Sequence, residues 1–423
     1  MRLKDCVLKS LGEDTWLHHT ASGYKVRMNR ESVAVLKSLA GRLSADEMTE
    51  QERFIYAKLS ARGIAGPDTG RAEDREIPAR NKSPLNTIEL EFSGRCNLNC
   101  SHCFASMSGK LMERGILEKV FEGVAALEPV NLVLTGGEPL LNPLLPEALE
   151  LARARRLRTS VMTNATLVTE ATADLFRACG VAKAVVSLDF FQDTHDAIRG
   201  AGAFSKAVRG IKLLTGRKVP VHTTAMVQDG TAGRTAEFKD FCLKELGAAG
   251  IRFSSVAPIG KGKAAPAGLA LAPEKLKELF RLGLVADGDD NGEEFGRLAQ
   301  GRSFPCTAGT GQCFVSAEGE VYPCHYFQNL GEKMGELSAA PLAALYRGYP
   351  RRGGLTAAFD WHKLEKCRTC AHFSSCRGGC RARARIASGS WYEPDAYACG
   401  MRGVPAAPPP AAGGPVPEKP PGG

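Results

Sequence analysis

Nowhere in its 423 residues does the chain reach the ~18 consecutive apolar side chains that a membrane helix requires. Its opening, Met1-Arg-Leu-Lys-Asp-Cys6, also lacks the apolar stretch of a secretory signal. These absences lead to the expectation of a cytoplasmic protein with no membrane partner. In that reducing setting, 14 cysteines point to metal or redox chemistry rather than disulfides. Aromatics are missing where a nucleic-acid binder would interleave them: the positive stretches 153–158 and 377–385 contain none. The net charge of +9 is therefore read as solvated faces, or as a dock for an acidic electron donor, with no nucleic-acid partner. With 43% hydrophobic and 24% charged residues, whole-chain disorder and fibrous repeats are excluded.

Composition divides the chain. Residues 1–65 combine short β-like runs (from Cys6 and from Gly23) with two amphipathic helical patterns, closed by Gly41 and Gly63. Residues 66–86 turn polar and proline-punctuated and read as a linker. Between 87 and 299, strand-like runs at 87–92, 131–134, 158–162, 184–188, 221–227 and 251–256 alternate with helical ones such as 111–127, 146–156 and 236–246. Six βα repeats imply an α/β fold with a parallel sheet, curved as a partial barrel or flat and doubly wound, with chemistry at the C-terminal strand ends. Residues 300–400 hold eight of the cysteines. The tail, 401–423, has eight of the 24 prolines and no means of building a core, so it is expected to be disordered.

Just after the first of these strands stands Cys96-Asn-Leu-Asn-Cys100-Ser-His-Cys103. Three thiolates on one tight loop can hold three irons of a [4Fe–4S] cluster and leave the fourth open. A structural zinc site would want a fourth protein ligand, and only His102 is near. CxxxCxxC directly after the first strand of a βα repeat resembles the radical S-adenosylmethionine (SAM) enzymes. The resemblance implies a partial (βα)6 TIM-like barrel. It also implies that SAM chelates the open iron and that one electron from the cluster cleaves it to a 5′-deoxyadenosyl radical, which takes hydrogen from a substrate. Thr135-Gly136-Gly137-Glu138-Pro139 is similar to the family's GGEP turn, in which the glycines admit the methionyl group and Glu138 accepts from its ammonium. Asn164 and Ser187 resemble polar contacts to the ribose or carboxylate, Arg199 matches the arginine that pairs with the SAM carboxylate, and His102 takes the place of an aromatic residue on the adenine side. Where relatives have Asp-Gly after the fourth strand, this chain has Asp189-Phe190-Phe191.

The remaining cysteines follow the pattern Cys306-x12-Gly319-x4-Cys324, a gap, Cys367-x2-Cys370-x5-Cys376-x3-Cys380, a gap, and Cys399. CxxC knuckles alone would suit a pair of zinc sites. The full pattern resembles the SPASM domain of radical SAM maturases, with Cys313 as an eighth thiol. By that resemblance, auxiliary [4Fe–4S] cluster I takes Cys306, Cys313, Cys324 and Cys380, and auxiliary cluster II takes Cys367, Cys370, Cys376 and Cys399. Cys6, Cys179 and Cys242 are left as packing thiols.

Two short strands followed by helices in residues 1–65 resemble the winged-helix recognition element related to the PqqD-type peptide chaperone of pyrroloquinoline quinone synthesis. Such elements bind a leader peptide as an added strand. The reading that results is a radical SAM/SPASM maturase that crosslinks or otherwise modifies a ribosomally made peptide, supplied with electrons by a flavodoxin or ferredoxin. The alternatives are a radical SAM enzyme acting on a small molecule such as a haem precursor, and a non-catalytic iron–sulfur carrier or sensor. Sulfatase-activating relatives carry, after the Gly-x4-Cys cysteine, an Asp that acts as base on the target side chain. Here that place is His325, which argues against formylglycine formation. Asp193, His195, Asp196, His325 and Tyr326 are the candidates for a general base.

Overall fold

The computed structural model describes residues 3, 5–11, 14–41, 48–66, 77, 79–80, 82–256, 261, 271–282, 306–351 and 359–404. Most of the expected linker and the proline-rich tail beyond Val404 lie outside these residues.

The N-terminal unit has three strands rather than two: β1 (Cys6–Leu11), β2 (Asp14–His19) and β3 (Lys25–Met28), running as an antiparallel meander. Two helices follow, α1 (Arg30–Gly41) and α2 (Glu50–Ser60). Helix α2 begins with a capping box: the Thr49 hydroxyl accepts from Glu52 N (3.2 Å), and the Glu52 carboxylate accepts from Thr49 N (2.8 Å). The other Glu52 oxygen accepts from Ser38 Oγ at 2.7 Å, which ties α1 to α2. Reading 66–86 as linker alone needs correction. Ala79–Arg80 forms β4, parallel to β1, in the order β3-β2-β1-β4. Arg80 and Lys9 then bolt this unit to the larger one. Arg80 donates to the carbonyls of Pro129, Arg155 and Arg156, and Lys9 Nζ donates to Glu128 O (2.9 Å).

The larger unit contains the six expected parallel strands: β5 (Thr87–Ser93), β6 (Asn131–Gly136), β7 (Arg158–Thr163), β8 (Lys183–Ser187), β9 (Val221–Met226) and β10 (Gly250–Ser254). Each pairs with its sequence neighbour, β5 through β10 in order. A doubly wound sheet reverses direction once, so this order selects the partial barrel. Helices α3 (Arg114–Leu127), α4 (Leu145–Ala154), α5 (Glu170–Ala178), α6 (Gln192–Arg199) and α7 (Ala203–Gly216), and then α8 (Thr235–Asp240), form the returns. Alternation sends Ile88, Leu90, Phe92, Leu132, Leu134, Val161 and Val186 outward into the helix-side core. It turns Glu89, Glu91, Thr135, Met162, Ser187 and Thr224 inward.

After helix α9 (Pro273–Arg281), β11 (Gln312–Val315) adds to β5 in parallel, followed by β12 (Glu320–Tyr322) and β13 (Gly335–Glu336). One nine-stranded sheet thus runs through both halves. Helices α10 (Leu342–Arg351), α11 (Arg381–Ser388) and α12 (Ala396–Met401) complete the cysteine-rich region. Its own core is built on Phe314, Phe327, Leu364 and Trp391. No helix among the described residues is long and apolar enough to cross a membrane.

Candidate functional site

The first cysteine loop leaves β5 at its C-terminal end and rests on the GGEP turn that ends β6. Gly137 N donates to Ser93 O (2.6 Å) and Glu138 N to Arg95 O (2.8 Å). A Cβ on Gly137 would lie 2.2 Å from Arg95 O, and one on Gly136, where φ is +127°, would lie 2.2 Å from Ser93 O. The glycines are therefore required for the turn to pass beneath the cysteine loop, a demand of the fold separate from any ligand. Glu138 departs from expectation. It is 0% exposed, and its oxygens accept from Thr163 Oγ1 (2.7 Å), Asn164 N (2.8 Å) and Leu140 N (3.1 Å). Its carboxylate fastens the end of β6 to the end of β7 and is not presented to an ammonium.

Burial pushes Glu138 up to about 7. The folded chain then holds this proton more tightly than the unfolded chain. Its contribution to stability is present below about pH 4.5 and is lost as pH rises through 7, on the order of 3 kcal/mol. Thermal melts between pH 5 and 8 should therefore slope downward, and a Glu138→Gln variant should show a flatter profile.

Asn164 lies where the loop needs it: Nδ2 is 3.0 Å from Asn97 Oδ1 and 3.8 Å from Cys96 Sγ, and Oδ1 accepts from Thr166. Arg199, at the end of α6, donates from Nε to Asp189 Oδ2 (2.6 Å) and from Nη1 toward Cys100 Sγ (3.8 Å). Asp189 is fully buried and also accepts from Met226 N (2.8 Å). Burial would raise its carboxyl, but Arg199 and His102 hold it below the usual range. His102 turns inward, with Nε2 3.9 Å from Asp189 Oδ2 and burial lowering its pKa, rather than standing open as a stacking face. Phe190 adopts φ +57°, and its ring stacks on Phe238 at 4.9 Å, so the Asp189-Phe190-Phe191 loop keeps a left-handed turn without glycine. Beside the loop opens a cavity of about 490 Å³, whose wall includes Asn97, Ser101, Thr166, Arg199 and Lys206. Ser187, at the inner end of β8, is half-buried and outside that wall.

Three candidate bases on α6 are corrected. His195 is 0% exposed, accepts from Asp189 N at 3.0 Å, and is pushed down to about 4 by burial, so it braces the Asp189 loop. Asp196 caps the next helix by accepting from Gly202 N and Phe204 N. Asp193 is exposed in the first turn of α6, on the surface. His325 is placed differently. Its Nδ1 lies 3.1 Å from Glu89 Oε2, and its ring is 4.3 Å from Tyr326 and 5.6 Å from Phe104, the residue after Cys103. Glu89 and Glu91 were missed. Two carboxylates at alternate positions of an otherwise apolar strand, Thr-Ile-Glu-Leu-Glu-Phe, were the available signal. Glu91 accepts from Ala317 N (3.1 Å) and Gln328 Nε2 (3.3 Å), joining the barrel to the cysteine-rich region.

In that region Cys367, Cys370, Cys376 and Cys399 line one small cavity. Cys306, Cys324 and Cys380 form the second set: Cys324 is buried, the other two are half-buried, and the Cys324 thiol is close enough to feel the charge of both. Cys313 does not join them. Strand β11 is locked in register with β5, with Cys313 beside Ile88. Phe314 therefore faces the cysteine-rich core, and Cys313 faces the helix-side core of the barrel near Tyr346. The first auxiliary set is thus three thiols, not four. Cys6, Cys179 and Cys242 are buried. The reading of 377–385 as a solvated face is also overturned: Arg381 and Arg385 are buried, and Arg383 pairs with Asp395 (Nη2 to Oδ2, 2.6 Å), which also accepts from Cys380 N (2.8 Å).

Among the described residues no three His, Cys, Asp or Glu side chains close on a single metal-ion position. The donor sets fit iron–sulfur clusters. They are all thiol, and N–H groups of Leu98, Asn164, Arg199 and Ala308 point at cysteine sulfurs, as thiolate ligands require. Without metal, burial pushes Cys306 up to about 12 and raises Cys324 and Cys380, so these thiols ionise only with irons to hold them.

Comparison with known proteins follows the same division. Residues 90–242 match the model of the radical SAM superfamily, and residues 306–371 match that of the SPASM iron–sulfur cluster-binding domain. The AdoMet-dependent heme synthase of Methanosarcina barkeri is 28% identical over 73% of this chain and 95% of its own length. The mycofactocin maturase MftC of Mycobacterium tuberculosis is 27% identical over 70% of this chain and 78% of its own. Streptococcus suis SuiB, solved with its precursor peptide SuiA, shares the fold at a TM-score of 0.67 and 15% identity, over 94% of this chain and all of that one.

Proposed function

This chain is a radical SAM superfamily enzyme with a SPASM domain, and from that premise we propose that it modifies a ribosomally made peptide, by a crosslink or a related change. When bound, the first cluster and SAM supply a 5′-deoxyadenosyl radical. The chain's own part is to hold and to shield. Cys96, Cys100 and Cys103 offer three thiolates. Arg199, oriented by Asp189, carries a positive charge beside Cys100 and suits a carboxylate. The inward faces of β5 to β9 present Glu89, Thr135, Met162, Ser187 and Thr224 to whatever enters the barrel.

The observation that carries the peptide reading is the N-terminal unit. Strand β3 stands at the edge of its sheet, with half-buried Tyr24, Val26 and Met28 on it or just before it. Helix α2 adds Ile55 and Tyr56, and Arg62 lies over the Tyr24 ring. Phe54, 59% exposed, stands on the same helix. A PqqD-like element uses such an arrangement to take a leader peptide as an extra strand. The fold likeness to SuiB supports the reading, because 94% of this chain must include residues of this unit. An acidic flavodoxin or ferredoxin is the electron donor that suits a chain of net charge +9.

The likeness to heme synthase favours a second reading, a tetrapyrrole substrate. One experiment separates the two. The enzyme is reconstituted anaerobically with SAM and reductant, then offered either a small peptide encoded beside its gene or a haem precursor. The peptide should lose two hydrogens by mass spectrometry and bind at micromolar strength or tighter. Phe54→Ala should weaken that binding about tenfold (about 1.4 kcal/mol) while SAM cleavage without peptide stays unchanged. No binding, together with a converted haem precursor, overturns the peptide reading.

A further inference from the structure

The first residue of α11, Arg381, is 1% exposed and has no evident reason to be charged. Its Nη1 donates to the carbonyls of Trp391 (2.9 Å) and Glu393 (2.8 Å), and its Nε to that of Gly379 (3.3 Å). These are neutral acceptors. Its Nη2 is buried with no hydrogen-bond partner. The nearby carboxylate, Asp395, already holds Arg383 and Cys380 N. A guanidinium so enclosed is costly unless negative charge lies close by. The thiols do lie close. Asp395 is the strongest negative neighbour of Arg381, and thiols of both sets, Cys367, Cys380 and Cys376, come next. Beside its Nη2, Gly378 lines the same cavity as Cys367 and Cys376. Gly378, between Cys376 and Cys380 in sequence, has φ +86°, and a Cβ there would sit 3.0 Å from Nη2. The chain is therefore bare of side chain beside Nη2.

We propose that Arg381 is a shared counter-ion of the two auxiliary clusters, with Nη2–H directed at cluster sulfur, and that it raises the reduction potential of both. The physical ground is simple. A cluster with its thiolates is anionic, and reduction adds one more negative charge, so a fixed cation stabilises the reduced form more than the oxidised one. Arginine suits the task because it does not lose its proton in proteins. Arg381 is a positioning and tuning residue rather than a catalytic one, and its role does not depend on which substrate the enzyme takes.

The test is a potentiometric titration of the reconstituted full-length enzyme, followed by EPR, for wild type, Arg381→Gln and Arg381→Lys. In Arg381→Gln, at the wild-type auxiliary midpoint, the reduced-to-oxidised ratio should fall about tenfold, which is about 59 mV for one electron. Arg381→Lys should stay near wild type, and the cluster on Cys96, Cys100 and Cys103 should not move in either. If Arg381→Gln fails to load its auxiliary clusters while Arg381→Lys loads them, the requirement for charge is likewise upheld. Full iron content with unmoved potentials in Arg381→Gln overturns the proposal, as does failure of both variants to load, because either result reduces Arg381 to a brace for the Trp391–Glu393 carbonyls.

Discussion

Cys324→Ala is expected to cost the protein about four of roughly twelve irons, whereas Cys313→Ala keeps all of them. The contrast follows from where the two thiols point. Cys324 precedes the short helix His325–Gln328, is buried, and shares its surroundings with Cys306 and Cys380. Removing one of three thiols leaves two, too few to hold the irons of a cubane cluster and to repay the cost of ionising buried thiols. Cys313 faces the other side of β11 and acts as a small apolar group, so its truncation should cost under about 1.5 kcal/mol and no iron. Iron assay and EPR of the auxiliary signals measure both outcomes. Equal iron loss in the two variants would return Cys313 to the ligand set.

Asp189→Ala is expected to be the most damaging change in the barrel. It would leave Arg199, itself nearly buried, without its carboxylate and Met226 N without an acceptor. Breaking a buried ion pair from one side costs about 3–5 kcal/mol. For a unit of this size that lowers the melting temperature on the order of 10 °C. Because Asp189 aims the guanidinium at Cys100, 5′-deoxyadenosine formation should drop at least about 100-fold. Asp189→Asn, which keeps an acceptor for Met226 N but not the charge, should melt between Asp189→Ala and wild type. A variant that melts normally and cleaves SAM at the wild-type rate would remove Asp189 from this role. Calorimetry and chromatographic assay of 5′-deoxyadenosine provide the two measurements.

How much of this was legible beforehand depended on how local each signal was. Cys96, Cys100 and Cys103 share one loop, so their spacing alone reveals a ligand set. The six strands were visible because alternation and helix period are short-range patterns, and only their ends moved by a residue or two. Glu138 was misjudged because its partners, Thr163 and Asn164, come from the next strand, and only burial reveals that its oxygens are occupied. Cys313 was counted as a ligand because nothing near it in sequence shows that β11 pairs with β5 from the far end of the chain. The arginines between 377 and 385 looked like surface because charge usually is surface. Thiols, carbonyls and Asp395 gathered from three segments draw them inside. His195 and Asp196 carried the right chemistry for bases and turned out to serve the architecture of α6 and α7.

The join between β5 and β11 has a consequence for solubility. β5 is a seven-residue strand carrying Ile88, Leu90 and Phe92, and β6 covers only one of its two edges. The other edge is covered by β11. A chain cut before residue 306 would keep the whole radical-generating barrel but bare a hydrophobic strand edge, the kind that recruits other copies into aggregates. The cysteine-rich region thus acts as an edge guard for the barrel as well as a holder of metal, and the two halves are bound to be made, and kept, as one piece.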